Sequence, residues 1–174
     1  MIFEILVTIL TLIILVILRI SDKKILSKFF ITIVGVLLFE YLTGAMWINQ
    51  NLESWAYLYK GVSWVITLGW TSIILVSVAI INSGFRRLSE GKRFILQLIL
   101  VSIIGLIAEI IVRSMGIREY SLMAQKSMSG IMLFGLVPIE ALFYIPVFMI
   151  LVLGFKRYWE IATIKNKSGG GKKR

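Results

Sequence analysis

Two apolar stretches decide the fold: residues 29–47 read FFITIVGVLLFEYLTGAMW, and residues 94–112 read FILQLILVSIIGLIAEIIV. Each is close to the roughly 20 residues that an α-helix needs to cross a hydrocarbon core of about 30 Å. Each also contains one carboxylate, Glu40 in the first and Glu109 in the second. Because an ionisable group inside such a span costs about 2.5 kcal/mol or more to insert, the two acids are expected to face a protein interior.

The rest of the chain has the composition of a membrane protein. Of its 174 residues, 59% are hydrophobic and 16% are charged, which is more apolar surface than a soluble domain of this size can bury. We therefore predict an all-α polytopic membrane helix bundle with five spans, forming one domain over residues 1–160, followed by a basic tail over 161–174. The apolar runs that predict the spans lie at approximately 2–19, 28–47, 61–82, 94–114 and 130–155.

Basic residues gather at alternate connections and so predict the topology. Under the positive-inside rule, the first and third connections and the C-terminus are cytoplasmic and the N-terminus is outside. Glu4 stands where a signal peptide has basic residues, so the first run is expected to remain as a helix. The cytoplasmic basic residues are, in the first connection, Arg19, Lys23, Lys24 and Lys28, in the third connection, Arg86, Arg87, Lys92 and Arg93, and in the tail, Lys156, Arg157, Lys165, Lys167, Lys172, Lys173 and Arg174. The outer connections have fewer, namely Lys60 in the second and Arg113, Arg118 and Lys126 in the fourth.

Several function classes are excluded by composition and charge placement. The chain has no cysteine and no histidine, so thiol catalysis, disulfide frameworks and His or Cys metal sites are not expected, and we predict no cofactor and no metal. Asp22 is the only aspartate, which argues against prenyl transfer through paired aspartates and magnesium. The basic residues that give the net charge of +10 lie at span ends rather than along one face. Their predicted partner is therefore the lipid bilayer and not nucleic acid.

A faint internal repeat relates the two decisive stretches. Glu40 and Glu109 are 69 residues apart (109 minus 40), and Met46 and Met115 share that offset. The offset predicts a parallel repeat of two helices, because two crossings restore the direction of the chain.

A third carboxylate, Glu140, lies in the last apolar run between Pro138 and Pro146. By helical rise, all three acids are expected between the midplane and the outer end. Glu109 precedes Arg113 by four residues, a spacing that favours an ion pair within the helix, and Glu40 is followed by small and polar residues that suit helix packing. Glu140 has no cation nearby in the sequence. Desolvation therefore favours its protonated form, and it is the leading candidate for a general acid.

Aromatic residues surround the outer connections. Their ordinary interpretation is a belt at the headgroup level, and the functional one is an aromatic mouth that grips a flat ligand or stabilises a cation. The candidate substrate contacts are Trp47, Trp64, Trp70, Tyr120, Tyr144, Arg113 and Arg118.

The second half resembles the repeat unit of the small membrane lycopene cyclases of carotenoid synthesis. The resemblance covers about residues 108–159 and rests on Gly116-Ile117-Arg118-Glu119-Tyr120 and on the run from Leu133 to Tyr144, LFGLVPIEALFY. In that family an acid ends one helix, an aromatic outer loop follows, and a Pro-aliphatic-acid-acid signature opens the next helix. Here Glu109 and Glu140 stand at the two acidic places, and Ala141 replaces the second acid of the signature.

The resemblance implies a cofactor-independent isomerase that acts on a hydrophobic isoprenoid. Glu140 would donate a proton to a terminal double bond, Glu109 or Glu40 would be its partner, and Trp47, Trp64, Trp70 and Tyr144 would wall the cavity. Because a five-helix monomer is thin for enclosing a long polyene, a homo- or hetero-oligomer is expected. The alternative class is a non-catalytic membrane module, either a substrate-binding transporter subunit or a subunit that stabilises a larger complex.

Overall fold

The computed structural model describes residues 1–59 and 61–169, and the side chains of residues 1–59 and 61–163. Lys60 and the charged end of the predicted tail lie outside the described residues. Five of the helices are long and apolar enough to cross a membrane, which confirms the predicted all-α membrane bundle. The helices are α1 (Ile2–Ser21), α2 (Ile25–Thr43), α3 (Trp64–Gly84), α4 (Glu90–Ser114), α5 (Leu122–Ser127) and α6 (Ala141–Gly169).

Four of the long helices form a ring. α2 packs on α3, α3 on α4, α4 on α6, and α6 returns to α2. The buried centre of this ring takes one apolar side chain or more from each helix, among them Val36, Ile74, Val101 and Ile145. α1 lies outside the ring, mainly against α3, where the Thr11 and Ser72 hydroxyls hydrogen-bond at 2.9 Å. Most of the α1 surface is therefore free to face lipid.

Three short antiparallel strand pairs follow the helices at one end of the ring. β1 (Trp47–Asn49) pairs with β4 (Arg118–Tyr120), and this two-stranded ribbon joins the segments that follow α2 and α4. β2 (Tyr57–Tyr59) pairs with β3 (Val62–Ser63) just before α3. β5 (Met132–Leu133) pairs with β6 (Val137–Pro138) just before α6. The two halves, α2 to α3 and α4 to α6, thus each run helix, ribbon strand, short helical turn, hairpin, helix, which agrees with the predicted repeat; the helical turns are Ser54–Ala56 and α5.

Ion pairs show which chain segments share an end of the bundle. The N-terminal ammonium lies 3.5 Å from the Glu53 carboxylate, so the N-terminus and the α2–α3 connection are together. Arg157 pairs with Glu90 at 2.6 Å, so the second half of α6 passes beside the start of α4. This grouping agrees with five crossings. That the end with the α3–α4 connection faces the cytoplasm stays a prediction.

The last span begins later than its hydropathy indicates. The apolar run was expected to be helical from residue 130, but residues 132–138 form the β5–β6 hairpin and α6 begins at Ala141. Three residues, 134–136, join the two strands, and Phe134 and Gly135 both have positive φ, 52° and 69°, as the two central residues of a type I′ turn require. Glu140 therefore precedes the helix and does not lie in the middle of a span. Of the two prolines expected to interrupt that helix, only Pro146 is inside it.

Candidate functional site

Arg118 is the centre of a buried polar cluster that joins both halves of the protein. Arg118 is 3% exposed, and Glu40 and Glu109 are 5% and 2% exposed. Arg118 Nη2 lies 3.3 Å from Glu40 Oε1, and Nη1 lies 3.5 Å from Glu109 Oε2. Arg118 Nε donates to Asn49 Oδ1 at 3.0 Å. All three nitrogens of the Arg118 guanidinium thus have a partner. Through these contacts Arg118 connects α2, α4 and the ribbon.

Further hydroxyl groups complete the bonding of the two carboxylates. Thr67 Oγ1 donates to Glu40 Oε2 at 2.9 Å, and the Tyr120 hydroxyl donates to Glu109 Oε1 at 3.2 Å. The Tyr120 and Tyr144 hydroxyls are 2.7 Å apart. Burial, followed by the nearby charge of Glu109, raises the pKa of Tyr120, so this hydroxyl stays protonated and available as a donor. A continuous hydrogen-bonded chain runs from Glu109 through Tyr120 to Tyr144.

Aromatic side chains cover the cluster on the side that faces the centre of the helix ring. The Arg118 guanidinium carbon lies 5.0 Å from the centroid of the Trp47 ring, a cation–π distance. Phe148 packs edge-on against Trp47 with centroids 5.3 Å apart, and it also contacts Tyr144 at 5.4 Å. A cavity of about 40 Å³ lies among these rings and is lined by both carboxylates and by Arg118. It has room for about two or three water molecules.

A larger apolar groove, which we call the α1 groove, lies on the other side of Trp70. It has a volume of about 460 Å³ and is open to the surroundings. Trp70 and Arg118 line both the α1 groove and the small cavity. Trp70, together with Arg118, is therefore a partition between the apolar groove and the cavity that contains the two carboxylates. The groove is formed by α1, α3 and α4, with Leu6, Leu10, Ile14, Ile73, Ile104 and Ala108 among its lining residues.

The position of the Trp70 ring depends on Gly105 of α4. A Cβ atom at residue 105 would lie 2.9 Å from Trp70 Cζ3 and 3.3 Å from Cη2. Carbon atoms do not approach so closely without a shift of one group, so only glycine lets the indole approach α4 this closely. This close approach fixes the partition between the cavity and the groove.

Several predicted site residues come together, and others do not. Glu40, Glu109, Arg118, Tyr120, Tyr144 and Trp47 meet in the cluster described above, and Trp70 lies beside it. Arg113 does not pair with Glu109 as its spacing favoured. Its Nε donates to the Leu136 carbonyl and its Nη1 to the Arg118 carbonyl, while its guanidinium lies 5.1 Å from the centroid of the Tyr120 ring. Trp64 donates its indole N–H to the Trp55 carbonyl and lines neither cavity.

Glu140 lies apart from the cluster, in contrast to its predicted central role. Its Oε1 accepts a hydrogen bond from the Ser129 backbone N–H at 2.6 Å, and it lines neither the small cavity nor the α1 groove. That hydrogen bond holds the pKa of Glu140 below its usual range, which is the opposite of what a position in mid-span would give. Its Oε2 has no hydrogen-bond partner among the described residues.

Two members of the cluster were not candidates in the sequence analysis. Asn49 lies opposite Arg118 in the β1–β4 register, and nothing in the sequence indicated that pairing. Thr67 had no signal beyond being a hydroxyl residue in an apolar helix. Comparisons with protein-family models, with curated proteins and with solved structures find no match for this chain.

Proposed function

We propose that this membrane protein binds an isoprenoid-like hydrocarbon in the α1 groove and isomerises it by proton transfer from the buried carboxyl pair, as in the lycopene cyclases that its second half resembles. The proposal rests on the residues that the α1 groove and the small cavity share. Trp70 and Arg118 line both an apolar groove of about 460 Å³ and the cavity that contains Glu40 and Glu109. A ligand that enters the α1 groove from the bilayer would thus reach a position close to the Glu40 and Glu109 carboxylates.

The lining of the α1 groove favours a hydrocarbon over a polar ligand. Apart from Arg118, its polar lining consists of Thr11 and Ser72, and their hydroxyls bond to each other. Binding sites for small molecules are concave, largely apolar and supplied with a few polar groups at one end, and the groove meets that description. Since the cavity has only about 40 Å³, the end of the ligand would enter by displacing the Trp70 ring.

The carboxyl pair suits a proton donor better than Glu140 does. When both acids are ionised, two negative charges share the one positive charge of Arg118, so a single proton on the pair makes the trio neutral and less costly to bury. That proton would pass to the terminal double bond and leave a tertiary carbocation. The cation would close a ring with the next double bond, and loss of a ring proton to the carboxylate would restore the acid. The net reaction is an isomerisation with no oxidant or cofactor.

The surrounding rings match the demands of this chemistry. A carbocation is stabilised by aromatic faces, and Trp47, Trp70, Tyr144 and Phe148 line the cavity. The hydrogen-bonded Tyr120 and Tyr144 hydroxyls offer a path along which the proton on Glu109 can be exchanged. We place the donor at Glu109, with Glu40 as its charge partner.

Pigment analysis in a lycopene-producing host tests this function. We expect wild-type protein to convert lycopene to a cyclised product, Glu109→Gln to lower conversion by about 100-fold or more, and Glu140→Gln to retain it. Glu140→Gln is the matched control because it removes the same charge outside the cavity. Unchanged lycopene with well-expressed wild-type protein would reject the cyclase function.

The alternative is a non-catalytic membrane module, and one observation favours it. Each oxygen of Glu40 and Glu109 has a partner within the protein, as expected of an ion pair that only holds the ribbon to the ring. Under this alternative, Glu109→Gln would lower the amount of folded protein, and no variant would change lycopene.

A further inference from the structure

We propose a second binding site, for a phosphate group, at the end of the bundle opposite the carboxyl cluster. A polar cavity of about 270 Å³ lies where α3, α4 and α6 meet, beside the α3–α4 connection. We call it the basic cavity. Its charged lining residues are Glu90, Arg93, Lys156, Arg157 and Glu160, and its other polar residues are Asn82 and Gln97.

The charges of the basic cavity leave one cation unpaired. Lys156 Nζ pairs with Glu160 at 2.9 Å, and Arg157 Nη2 pairs with Glu90 at 2.6 Å. Arg93 has no ion-pair partner among the residues that the structure describes, and its enclosed Nε atom has no hydrogen-bond partner there either. An enclosed guanidinium nitrogen without an acceptor is costly, so this nitrogen is a ready donor for an anion.

Lys156 shows that one side of the basic cavity is buried in the bundle, whereas Arg157 and Glu90 on its other side are 42% and 73% exposed. Lys156 is 5% exposed, although it is a lysine near the end of a span. It also lines a neighbouring cavity of about 220 Å³ that contains Lys28 and Arg86. Asp22 also lines that cavity and pairs with Lys28 at 2.6 Å, so the net positive charge that the region adds beside Lys156 comes from Arg86.

A phosphate group is the anion that fits these donors. Guanidinium groups bind phosphate oxygens through paired N–H donors, and basic pockets between helices at the cytoplasmic end of spans receive lipid phosphates. The cavity is smaller than the roughly 300–1,000 Å³ of sites for drug-sized molecules, which suits a compact group. The source is either an acidic lipid headgroup or free phosphate, and the experiment separates the two.

Thermal unfolding of the purified protein in detergent at fixed ionic strength is the test. The probes are dihexanoyl phosphatidylglycerol and inorganic phosphate, with chloride as the salt control. We expect a saturable rise in Tm with one or both probes. A rise with phosphatidylglycerol alone assigns the site to a lipid, and a rise with inorganic phosphate at similar concentrations assigns it to free phosphate.

Variants connect that rise to the basic cavity. Arg93→Gln should weaken probe binding about tenfold, because it removes a charge-assisted hydrogen bond, whereas Lys92→Gln removes the same charge from an exposed neighbour and should leave binding unchanged. Glu90→Gln should tighten binding by up to about fivefold, since it frees Arg157 from its pair. If Arg93→Gln does not fold, Glu90→Gln and Arg157→Gln test the site in opposite directions. Equal binding by wild type and these variants, or no saturable rise with either probe, would overturn the proposal.

Discussion

Arg118 bonds through every nitrogen of its side chain, and two of its partners are buried carboxylates. Removing it leaves the carboxyl pair buried in an apolar surrounding without its cation. We expect Arg118→Met to lower the free energy of unfolding by about 3–5 kcal/mol, the usual cost of breaking a buried ion pair from one side. Unfolding in mixed detergent micelles measures this. The triple variant with Glu40→Gln and Glu109→Gln should recover part of the loss.

Arg87→Met is the control for that prediction, because Arg87 is exposed on the α3–α4 connection. It should change the free energy of unfolding by less than about 0.5 kcal/mol. Similar losses for Arg118→Met and Arg87→Met would contradict the central position given to Arg118.

The partner of Glu109 illustrates what helical spacing alone predicts. Arg113 lies one turn beyond Glu109 on the same helix, and the sequence offered no reason to prefer Arg118. In the structure α4 ends at Ser114, and Gly116, with φ of 68°, reverses the chain so that β4 returns Arg118 to the cluster. The residues of the cluster were largely predictable, but their pairing depends on this turn and on the ribbon register.

Gly105 gives a prediction about the partition formed by Trp70. Gly105→Ala places a methyl group 2.9 Å from the indole, so we expect a loss of about 1–3 kcal/mol in the free energy of unfolding despite the better helix propensity of alanine. Gly91→Ala in the same helix meets no atom within 4 Å and should be neutral or stabilising. Combining Gly105→Ala with Trp70→Leu should remove most of the loss, and additive losses would show that the two residues do not touch.

At the scale of elements, the β5–β6 hairpin is where hydropathy misled the sequence analysis. Its residues are almost all apolar, so their composition is that of a span. The turn at Phe134 and Gly135 and the lack of an N–H on Pro138 stop a helix there, and only Gly135 and Pro138 signalled this in the sequence. The five spans were predictable from composition, whereas the start of α6, and with it the position of Glu140, was not.

Glu140 ties this hairpin to the segment before it in a way that depends on pH. The Ser129 N–H that lowers the pKa of Glu140 bonds to its ionised form. Because the folded pKa lies below the unfolded value of about 4.3, the contact contributes fully above that value and is lost as the pH falls through the folded pKa. Hydrogen exchange at Ser129, corrected for intrinsic rates, should show protection that decreases in that acidic range.

Glu140→Gln should lower the protection of Ser129 at neutral pH and remove its pH dependence. Glu119→Gln, an exposed substitution in β4, should leave both unchanged. Protection that decreases with pH equally in all three proteins would show that the Glu140 carboxylate is not the cause.

At the scale of the whole molecule, the order of elements supports the repeat that the sequence showed faintly. The offset is 69 residues at the two acids, 71 at the ribbon strands (118 minus 47) and 77 at the closing helices (141 minus 64). An ungapped comparison therefore loses the relation after the first helix of each half. The repeat places Glu40 and Glu109 at corresponding points of α2 and α4, and one arginine between them joins the halves.

The chain segments that share an end of the bundle should lie on the same side of the membrane. The chain has no cysteine, so single cysteines can report sidedness. We expect Ser54→Cys and Lys126→Cys to react with an impermeant maleimide on intact cells, and Arg87→Cys and Lys92→Cys to react only after permeabilisation. The reverse pattern would place the carboxyl cluster near the cytoplasmic face.

Proton transfer from the carboxyl pair is the central claim, and isotope incorporation tests it most directly. Membranes containing the protein are incubated with lycopene in deuterium oxide, and the mass of the cyclised product is measured. We expect one deuterium for each ring formed, because the carboxyl proton exchanges with solvent, and no product from Glu109→Gln. A cyclised product without added deuterium, or one formed equally by Glu109→Gln, would contradict the claim.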